Sequence, residues 1–155
     1  MNRISKENYY LNIAQTVLER ATCLRRVYGA IIVKNDEIIS TGYNGAPRGR
    51  RNCGDLGYCT REKLQIPRGE RYELCRSVHA EANAIISASR RDMVGGTLYL
   101  VGRNAQTGEL LTDATSCPMC RRMVINAGLS RVVIRRTPEE FTVVDVDCLL
   151  YTSDA

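Results

Sequence analysis

Hydrophobic and polar positions along the first 41 residues follow two different periods. Between residues 6 and 21 the apolar side chains fall on one stripe at helical spacing, and Ser5 is a suitable N-cap, so we expect an amphipathic helix there. Two apolar, β-branched runs at 27–33 and 38–41 then flank a polar turn at 34–37. That pattern predicts a β-hairpin.

The second half of the chain alternates helical and extended patterns. Helical spacing at 78–90 ends at Gly95-Gly96, and an apolar strand follows at 97–101. A second helix is expected at 117–127, with Pro118 in its first turn and Gly128 at its end, before a strand at 131–134. The type of any element in 138–150 stays open. This order predicts an α/β fold, a three-layer α-β-α sandwich with a mixed central sheet, forming one domain over 1–155.

Residues 42–77 interrupt both patterns. They contain six glycines, two prolines, seven arginines and three cysteines, with no sustained helical or strand period. A structureless loop of this length is improbable in a compact domain unless it is functional or held by something else. We therefore predict a Cys-, Gly- and Arg-rich insert at about 43–77 that a metal ion pins.

Composition and charge narrow the class of protein. Hydrophobic residues at 44% and charged residues at 25% are typical of a globular chain of 155 residues. Neither a membrane-length apolar run nor a signal-like N-terminus is present, so we expect a cytoplasmic protein with no membrane partner. Of the 22 basic side chains 19 are arginine, which indicates either solvated surface charges or an anionic small-molecule substrate. The sequence contains no dense basic run with interleaved aromatic residues, so it does not indicate a nucleic-acid partner.

One histidine stands against seven cysteines. The count excludes zinc sites that need two histidines, and an odd number of cysteines cannot all pair as disulfides. In a reducing compartment clustered cysteines are more often metal ligands or reactive thiols.

Two short motifs bring that histidine together with two of the cysteines. His79-Ala80-Glu81 opens one predicted helix and Cys117-Pro118-Met119-Cys120 opens the next. One imidazole and two thiolates make a three-ligand zinc site with a fourth position for water, and Glu81 is placed to act as general acid and base. Zinc nucleobase deaminases carry H-x-E…P-C-x-x-C. Here Ser116 precedes the first cysteine, and the proline lies between the two.

The sequence resembles the deoxycytidylate (dCMP) deaminase family over about residues 4–134. The resemblance rests on five segments in order: 20–26 (RATCLRR), 29–33 (GAIIV), 41–47 (TGYNGAP), 79–85 (HAEANAI) and 125–128 (INAG). It implies a cytidine deaminase-like fold and zinc-dependent hydrolysis of dCMP to dUMP and ammonia, which supplies dUMP for thymidylate synthesis. The segment 102–116 is longer than the family pattern, and the tail after Thr137 matches no part of it.

Further residues acquire roles only through this resemblance. Asn44 would contact the sugar, the backbone of Ala80 the pyrimidine and that of Ser116 the exocyclic amine. The phosphate needs cations, and the candidates are Arg25, Arg26 and Arg48. The family's usual regulation implies activation by dCTP with Mg²⁺ and inhibition by dTTP at a site including Tyr43 and Asn44, within a homohexamer; Tyr43 could equally be a packing aromatic.

Five cysteines remain outside the catalytic set. Four of them, Cys23, Cys53, Cys59 and Cys75, could bind a structural zinc that replaces the missing core of the insert, and some family members carry a second zinc near the first two positions. The alternative is that they are small buried residues or reduced thiols. Cys148 is left over.

Two other functions stay open at this point. One is deamination of another base, in cytidine or in tRNA adenosine. The other is a non-catalytic, zinc-stabilised, competence-associated protein, although a purely structural site has no use for an acid such as Glu81 beside an open coordination position.

Overall fold

The computed structural model describes residues 2–149. Helix α1 (Lys6–Val17) begins at Ser5, whose hydroxyl accepts a 3.2 Å hydrogen bond from the Asn8 amide, and a 3-10 turn (Leu18–Arg20) follows it. The predicted first helix and its cap are therefore confirmed. Within residues 2–149 no helix is long and apolar enough to cross a membrane.

The predicted hairpin is formed by β1 (Arg26–Lys34) and β2 (Glu37–Tyr43). Only two residues connect the strands, Asn35 and Asp36, and both have positive φ, 54° and 62°. Two successive left-handed residues match the twist of the flanking strands, and Asn and Asp tolerate that backbone better than most residues. The register shifts by one residue after Ile32, so the hairpin contains a bulge.

Three more strands complete the sheet: β3 (Thr97–Asn104), β4 (Arg131–Arg135) and β5 (Phe141–Asp145). The order is β2-β1-β3-β4-β5, with β3 and β4 parallel and every other neighbour antiparallel. The mixed sheet is therefore confirmed. The tail of undetermined type contributes β5 and a 3-10 turn (Val146–Cys148), and residues 150–155 lie outside the described part.

Helices cover both faces of the sheet. One face of the sheet is covered by α1, and the other face by α4 (Ala80–Ile86), α5 (Arg90–Met93) and α6 (Pro118–Asn126). Successive strand residues alternate between the two cores, as the period of two requires: Ile32 and Leu100 pack on one side, Ile31 and Val101 on the other. The three-layer α-β-α architecture follows.

The single helix expected over 78–90 is wrong. The structure breaks it at 87–89 into α4 and α5, because serine competes with the helical backbone for hydrogen bonds and favours helix ends. The Ser89 hydroxyl accepts from the Asp92 amide at 3.3 Å and so caps α5.

The insert contains two one-turn helices, α2 (Cys53–Leu56) and α3 (Thr60–Lys63), and a 3-10 turn (Tyr72–Leu74). Its buried centre is a charged residue. Arg61 is 5% exposed, and its guanidinium donates to the Glu70 carbonyl at 2.9 and 3.1 Å and to the Pro67 carbonyl at 2.9 Å. The same guanidinium lies 4.3 Å from the centroid of the Tyr72 ring. This arginine, which the sequence did not single out, folds the insert around itself.

Candidate metal centre and active site

His79 and Cys117 occupy equivalent positions on the two helices that face each other on one side of the sheet. Each is the N-cap of its helix, His79 of α4 and Cys117 of α6, and Cys120 lies in the first turn of α6. Pro118 occupies the first turn as predicted, where its missing N–H costs nothing. The Cys120 amide in turn donates to the Cys117 sulfur at 3.5 Å.

Helix α4 sits unusually close to β2, and this places His79 over the sheet. The Ser40 hydroxyl donates to the Ala84 carbonyl at 2.7 Å. At Gly42 a Cβ atom would lie 2.3 Å from the Ala80 carbonyl oxygen, so only glycine permits this approach.

The three predicted zinc ligands converge. His79 Nδ1 lies 3.4 Å from the sulfur of Cys117 and 3.4 Å from that of Cys120, and the three ligand atoms all fall within 4.8 Å of one another. Two ligands on a tetrahedral zinc, one nitrogen and one sulfur, are about 3.6 Å apart, given the usual bond lengths. The donor set and its spacing therefore fit zinc.

The protonation of this trio, His79, Cys117 and Cys120, also fits a zinc site. The pKa of Cys117 is lowered to about 4, chiefly because Cys120 and then His79 donate hydrogen bonds to its sulfur, whereas the pKa of Cys120 is raised because its neighbour holds the negative charge. All three groups bind zinc in their deprotonated forms. A dication among them would replace the protons that they share.

Glu81 is buried beside the trio, at 4% exposure. Burial raises the pKa of its carboxyl above the ordinary value, because the charged form loses its water. A hydrogen bond from the Glu81 main chain opposes part of that shift. The Ser116 hydroxyl lies near the carboxyl but makes no hydrogen bond of normal geometry within residues 2–149, so its buried oxygen is unsatisfied. A buried carboxyl beside a metal centre is suited to transfer protons as a general acid and base.

One cavity of about 120 Å³ opens onto these groups. His79, Glu81 and Cys117 lie in its wall, and the predicted ligand Asn44 lies there as well. Aromatic, basic and small polar side chains complete the lining: Tyr28, Tyr72, Arg25, Arg26, Arg61, Arg68, Cys23, Cys59, Cys75, Ser77 and Thr115.

The predicted sugar ligand Asn44 is largely committed to the protein. Its Oδ1 accepts from the Tyr28 amide at 2.8 Å and its Nδ2 donates to the Arg26 carbonyl at 2.9 Å, which secures the start of β1. One N–H of the amide is left to reach the cavity. Of the two predicted backbone contacts, Ala80 begins α4, and the Ser116 carbonyl accepts from Arg121 Nε at 2.9 Å.

The three arginines predicted for the phosphate differ in position. Arg25 and Arg26 line the cavity, whereas Arg48 is exposed on the insert and is not part of the lining. Arg25 is paired with Glu62 at 2.8 Å. Within residues 2–149 no carboxylate lies within 4 Å of the Arg26 guanidinium.

Sequence reasoning missed two arginines of the lining, Arg61 and Arg68. Arg68 pairs with Asp113 at 2.7 Å, and Arg61 is held by the insert's own carbonyls. Both lie in the aperiodic insert, where the sequence offers no pattern that separates a cavity-facing arginine from a solvated one.

Cys23, Cys59 and Cys75 lie near Cys53, but these four cysteines do not form a second ligand cluster among the described residues. Burial and then the nearby thiols of Cys23, Cys75 and Cys59 raise the pKa of Cys53. Among the described residues, the group at His79 is the one set of three or more metal-binding side chains within 4.8 Å. All seven cysteines, including exposed Cys148, are free of disulfides.

Cys75 also borders the catalytic trio. Burial raises the pKa of its thiol, but a hydrogen bond from His79 and another from the backbone of Ser77 outweigh burial and lower it below the usual value. Tyr43, the predicted effector residue, ends β2 with 39% of its surface exposed.

A sequence profile of the cytidine and deoxycytidylate deaminase zinc-binding region matches residues 4–136. The chain belongs to this family. The match contains all three zinc-ligand candidates and Glu81, and it confirms the family resemblance.

Relatives extend the comparison over most of the chain. The deoxycytidylate deaminase of Mycobacterium phage D29 is 33% identical over 138 residues, which cover 86% of this chain and 96% of the phage protein. That of Schizosaccharomyces pombe is also 33% identical, over 84% of this chain but 37% of its own length. The chain thus spans nearly all of one relative and little more than a third of the other.

Solved structures agree on the fold. A dCMP deaminase from cyanophage S-TIM5 in its apo form superposes with a TM-score of 0.60 at 26% identity, covering 86% of this chain and 85% of that one. The same phage protein has been crystallised with dCMP and dUMP. A cytidine deaminase from Burkholderia pseudomallei reaches a TM-score of 0.61 at 18% identity, with 94% of this chain and 96% of that one covered, which supports the fold alone.

Proposed function

We propose that this chain is a hydrolase that converts dCMP and water to dUMP and ammonia, using zinc held by His79, Cys117 and Cys120. One observation carries the proposal: two of the three ligands, His79 and Cys117, border one cavity together with the buried acid Glu81 and with Arg26, a cation that has no carboxylate within 4 Å among residues 2–149. A metal centre for attack on the base and a cation for the phosphate are thereby within one site.

The ligand geometry divides the chemistry between zinc and protein. When bound, zinc supplies a water whose lowered pKa makes it a nucleophile toward C4 of cytosine. Glu81 would move both protons of that water in turn: the first goes to N3 of the ring, and the second, taken from the hydroxyl group added at C4, goes to the amino group, which leaves as ammonia while C4 becomes a carbonyl. The buried environment that raises the pKa of Glu81 suits a group that must both accept and donate.

Substrate orientation falls to the groups around the cavity. Asn44 offers its remaining N–H to the sugar, and the backbone of Ala80 and of Ser116 approaches the two edges of the pyrimidine. Among the predicted arginines Arg26 is best placed for the phosphate, since Arg25 is paired and Arg48 lies outside the lining.

Glu81→Gln tests this mechanism most directly. The variant should keep one zinc at the catalytic site and lose dCMP turnover by about 100-fold or more, because general acid–base catalysis contributes that much. Glu37→Gln, an exposed acid on β2, is the matched control and should turn over dCMP normally. An active Glu81→Gln variant would refute the assigned role.

A substrate panel separates the proposal from its alternatives. Wild-type protein should deaminate dCMP well, and deoxycytidine, cytidine and a tRNA anticodon stem poorly, because the two nucleosides have no phosphate for the cationic wall and the tRNA offers internal phosphodiesters instead of a 5′-phosphate monoester. Preference for a nucleoside or for tRNA adenosine would overturn the substrate assignment, and zinc binding without turnover of any member would favour a non-catalytic protein.

The proposal includes a second, structural zinc bound by Cys23, Cys53, Cys59 and Cys75. Its support is that the other three thiols lie near Cys53, in a region with little apolar core. Atomic emission should give two zinc ions per chain, falling to one in Cys53→Ser, with Cys148→Ser as the control that keeps two. A wild-type value near one would exclude this site.

Regulation by dCTP with Mg²⁺ and by dTTP belongs to the same proposal, with Tyr43 and Asn44 at the effector site of a homohexamer. Exposure of Tyr43 at the end of β2 supports an interface position. Repeating the panel with each effector, alongside light scattering for the assembly, tests both parts. A cytoplasmic location and a role in pyrimidine metabolism belong to the same proposal, because they follow from the proposed substrate dCMP.

A further inference from the structure

Arg61 and Tyr72 make a contact that connects the insert to the metal centre. Arg61 is a buried cation whose partners are main-chain carbonyls, at Glu70 and Pro67. A buried charge must be matched by good hydrogen bonds, so these carbonyls fix the guanidinium in one place. The fixed guanidinium lies against the face of Tyr72, 4.3 Å from the ring centroid.

Tyr72 in turn contacts the catalytic histidine. The two rings are perpendicular, at 84°, and their centroids are 5.5 Å apart, which is the preferred edge-to-face arrangement for aromatic rings. Because His79 Nδ1 points at both sulfurs, rotation of the imidazole away from them requires Tyr72 to move. Arg61 prevents that movement.

We infer that Arg61 is a positioning residue, which acts through Tyr72 to hold the His79 imidazole in its metal-binding orientation. The inference rests on the proposed function, since it gives the insert a task in the same site. Groups that orient metal ligands from behind commonly change metal affinity or activity by about 10- to 100-fold when they are removed.

The insert provides its own matched control. Lys63 lies 4.4 Å from the centroid of the Tyr58 ring, so it makes the same kind of cation–ring contact in the same segment. That pair lies away from the metal centre, and Tyr58 is 42% exposed. Lys63→Met therefore removes a comparable contact without touching His79.

The test compares Arg61→Met, Arg61→Lys, Tyr72→Leu, Tyr72→Phe and Lys63→Met. Each variant is loaded with Co²⁺ for its visible absorption spectrum, and with Zn²⁺ for the rate of metal loss to a chelator. Turnover of dCMP is then measured as separate kcat and KM values. Tyr72→Phe keeps the ring and should keep the wild-type cobalt spectrum and rate of zinc loss, and Arg61→Lys keeps the charge and should give values between those of wild type and Arg61→Met.

Arg61→Met should lose zinc about 10-fold faster than wild type, show an altered cobalt spectrum and lose more in kcat than in KM. Tyr72→Leu should reproduce all three changes, and it provides the test if Arg61→Met fails to fold. A variant pair that lowers only Tm, with wild-type cobalt spectra and zinc loss, would overturn the inference. If no variant, wild type included, deaminates dCMP while the spectra still change, the proposed function fails and the positioning role stands.

Discussion

The two parts of this chain are held together by different physics. The body, residues 2–42 and 78–149, carries both hydrophobic clusters, one on each face of the sheet. The insert, residues 43–77, contributes one buried apolar side chain among those described, Cys53, and two buried polar ones, Asn44 and Arg61. The body is therefore stabilised mainly by buried apolar side chains, whereas the insert is organised around a buried charge, Arg61, that is hydrogen-bonded to main-chain carbonyls.

Arginines of the body also donate hydrogen bonds to main-chain carbonyls. Among the contacts within residues 2–149, seven arginines donate to at least one main-chain carbonyl oxygen: Arg61, Arg76, Arg90, Arg121, Arg122, Arg135 and Arg136. A guanidinium has five N–H donors in a fixed fork, so it can gather carbonyls that no strand or helix satisfies. The excess of arginine over lysine thus has a structural use that neither solvation nor an anionic substrate had suggested.

The largest predicted effect comes from breaking the close packing of the body. Gly42→Ala places a methyl group against two backbone atoms of α4, the Ala80 oxygen at 2.3 Å and the Ala84 nitrogen at 2.4 Å. Because backbone cannot move aside cheaply, we expect a loss of about 2 kcal/mol or more in the free energy of unfolding, measured with urea. Displacement of α4 should also weaken zinc binding at His79.

The insert supplies the opposite case for this comparison. Gly54 lies in α2, and a Cβ atom there meets nothing within 4 Å. Gly54→Ala should be neutral or stabilise the protein by up to about 1 kcal/mol, since alanine is the better helix former. Equal damage from both substitutions would contradict the view that the two parts pack differently.

The sequence predicted the parts of the fold and site that depend on local chemistry. The apolar runs at 27–33 and 38–41 predicted the hairpin, and the spacing of Cys117 and Cys120 placed two sulfurs at one helix end. The break at 87–89 was missed because serine capping and helix continuation differ by little energy. The Arg61–Tyr72–His79 chain was out of reach, because its contacts join residues that no period relates.

A further prediction compares the effects on substrate binding of an arginine in the body, Arg26, and one in the insert, Arg48. Arg26→Gln should raise the KM for dCMP about 10-fold, the cost of losing a hydrogen bond from a charged group to the phosphate. Turnover of deoxycytidine, which has no phosphate, should be unchanged. Arg48→Gln removes an exposed insert arginine outside the cavity and should leave both KM values alone. The reverse pattern would move the phosphate site into the insert.

The smallest effect concerns a polar contact within the body itself. Tyr10 of α1 donates to the Asp36 carboxylate in the hairpin turn, and Lys6 pairs with the same group at 3.1 Å. These contacts hold the pKa of Asp36 below its usual 3.8 and, through the hydrogen bond to Asp36 first and burial second, raise the pKa of Tyr10 to about 12. Asp36→Asn keeps a residue that tolerates positive φ and removes only the charge.

Linkage fixes the pH window of that contact. The pKa of Asp36 is lower in the folded protein than in the unfolded chain, so this group stabilises the fold above pH 3.8, and the stabilisation is lost as the pH falls through the folded pKa. The pKa of Tyr10 is higher in the folded protein, so this group stabilises the fold below pH 10.0, and the stabilisation is lost as the pH rises through about 12. Urea midpoints should therefore show a small deficit for Asp36→Asn at pH 7 that shrinks toward both extremes, whereas Glu37→Gln beside it shows none. A deficit independent of pH would mean that the Asp36 side chain acts through the shape of the turn. The charged contact would then contribute nothing to the stability of the body, in contrast to the charged contacts of Arg61 in the insert.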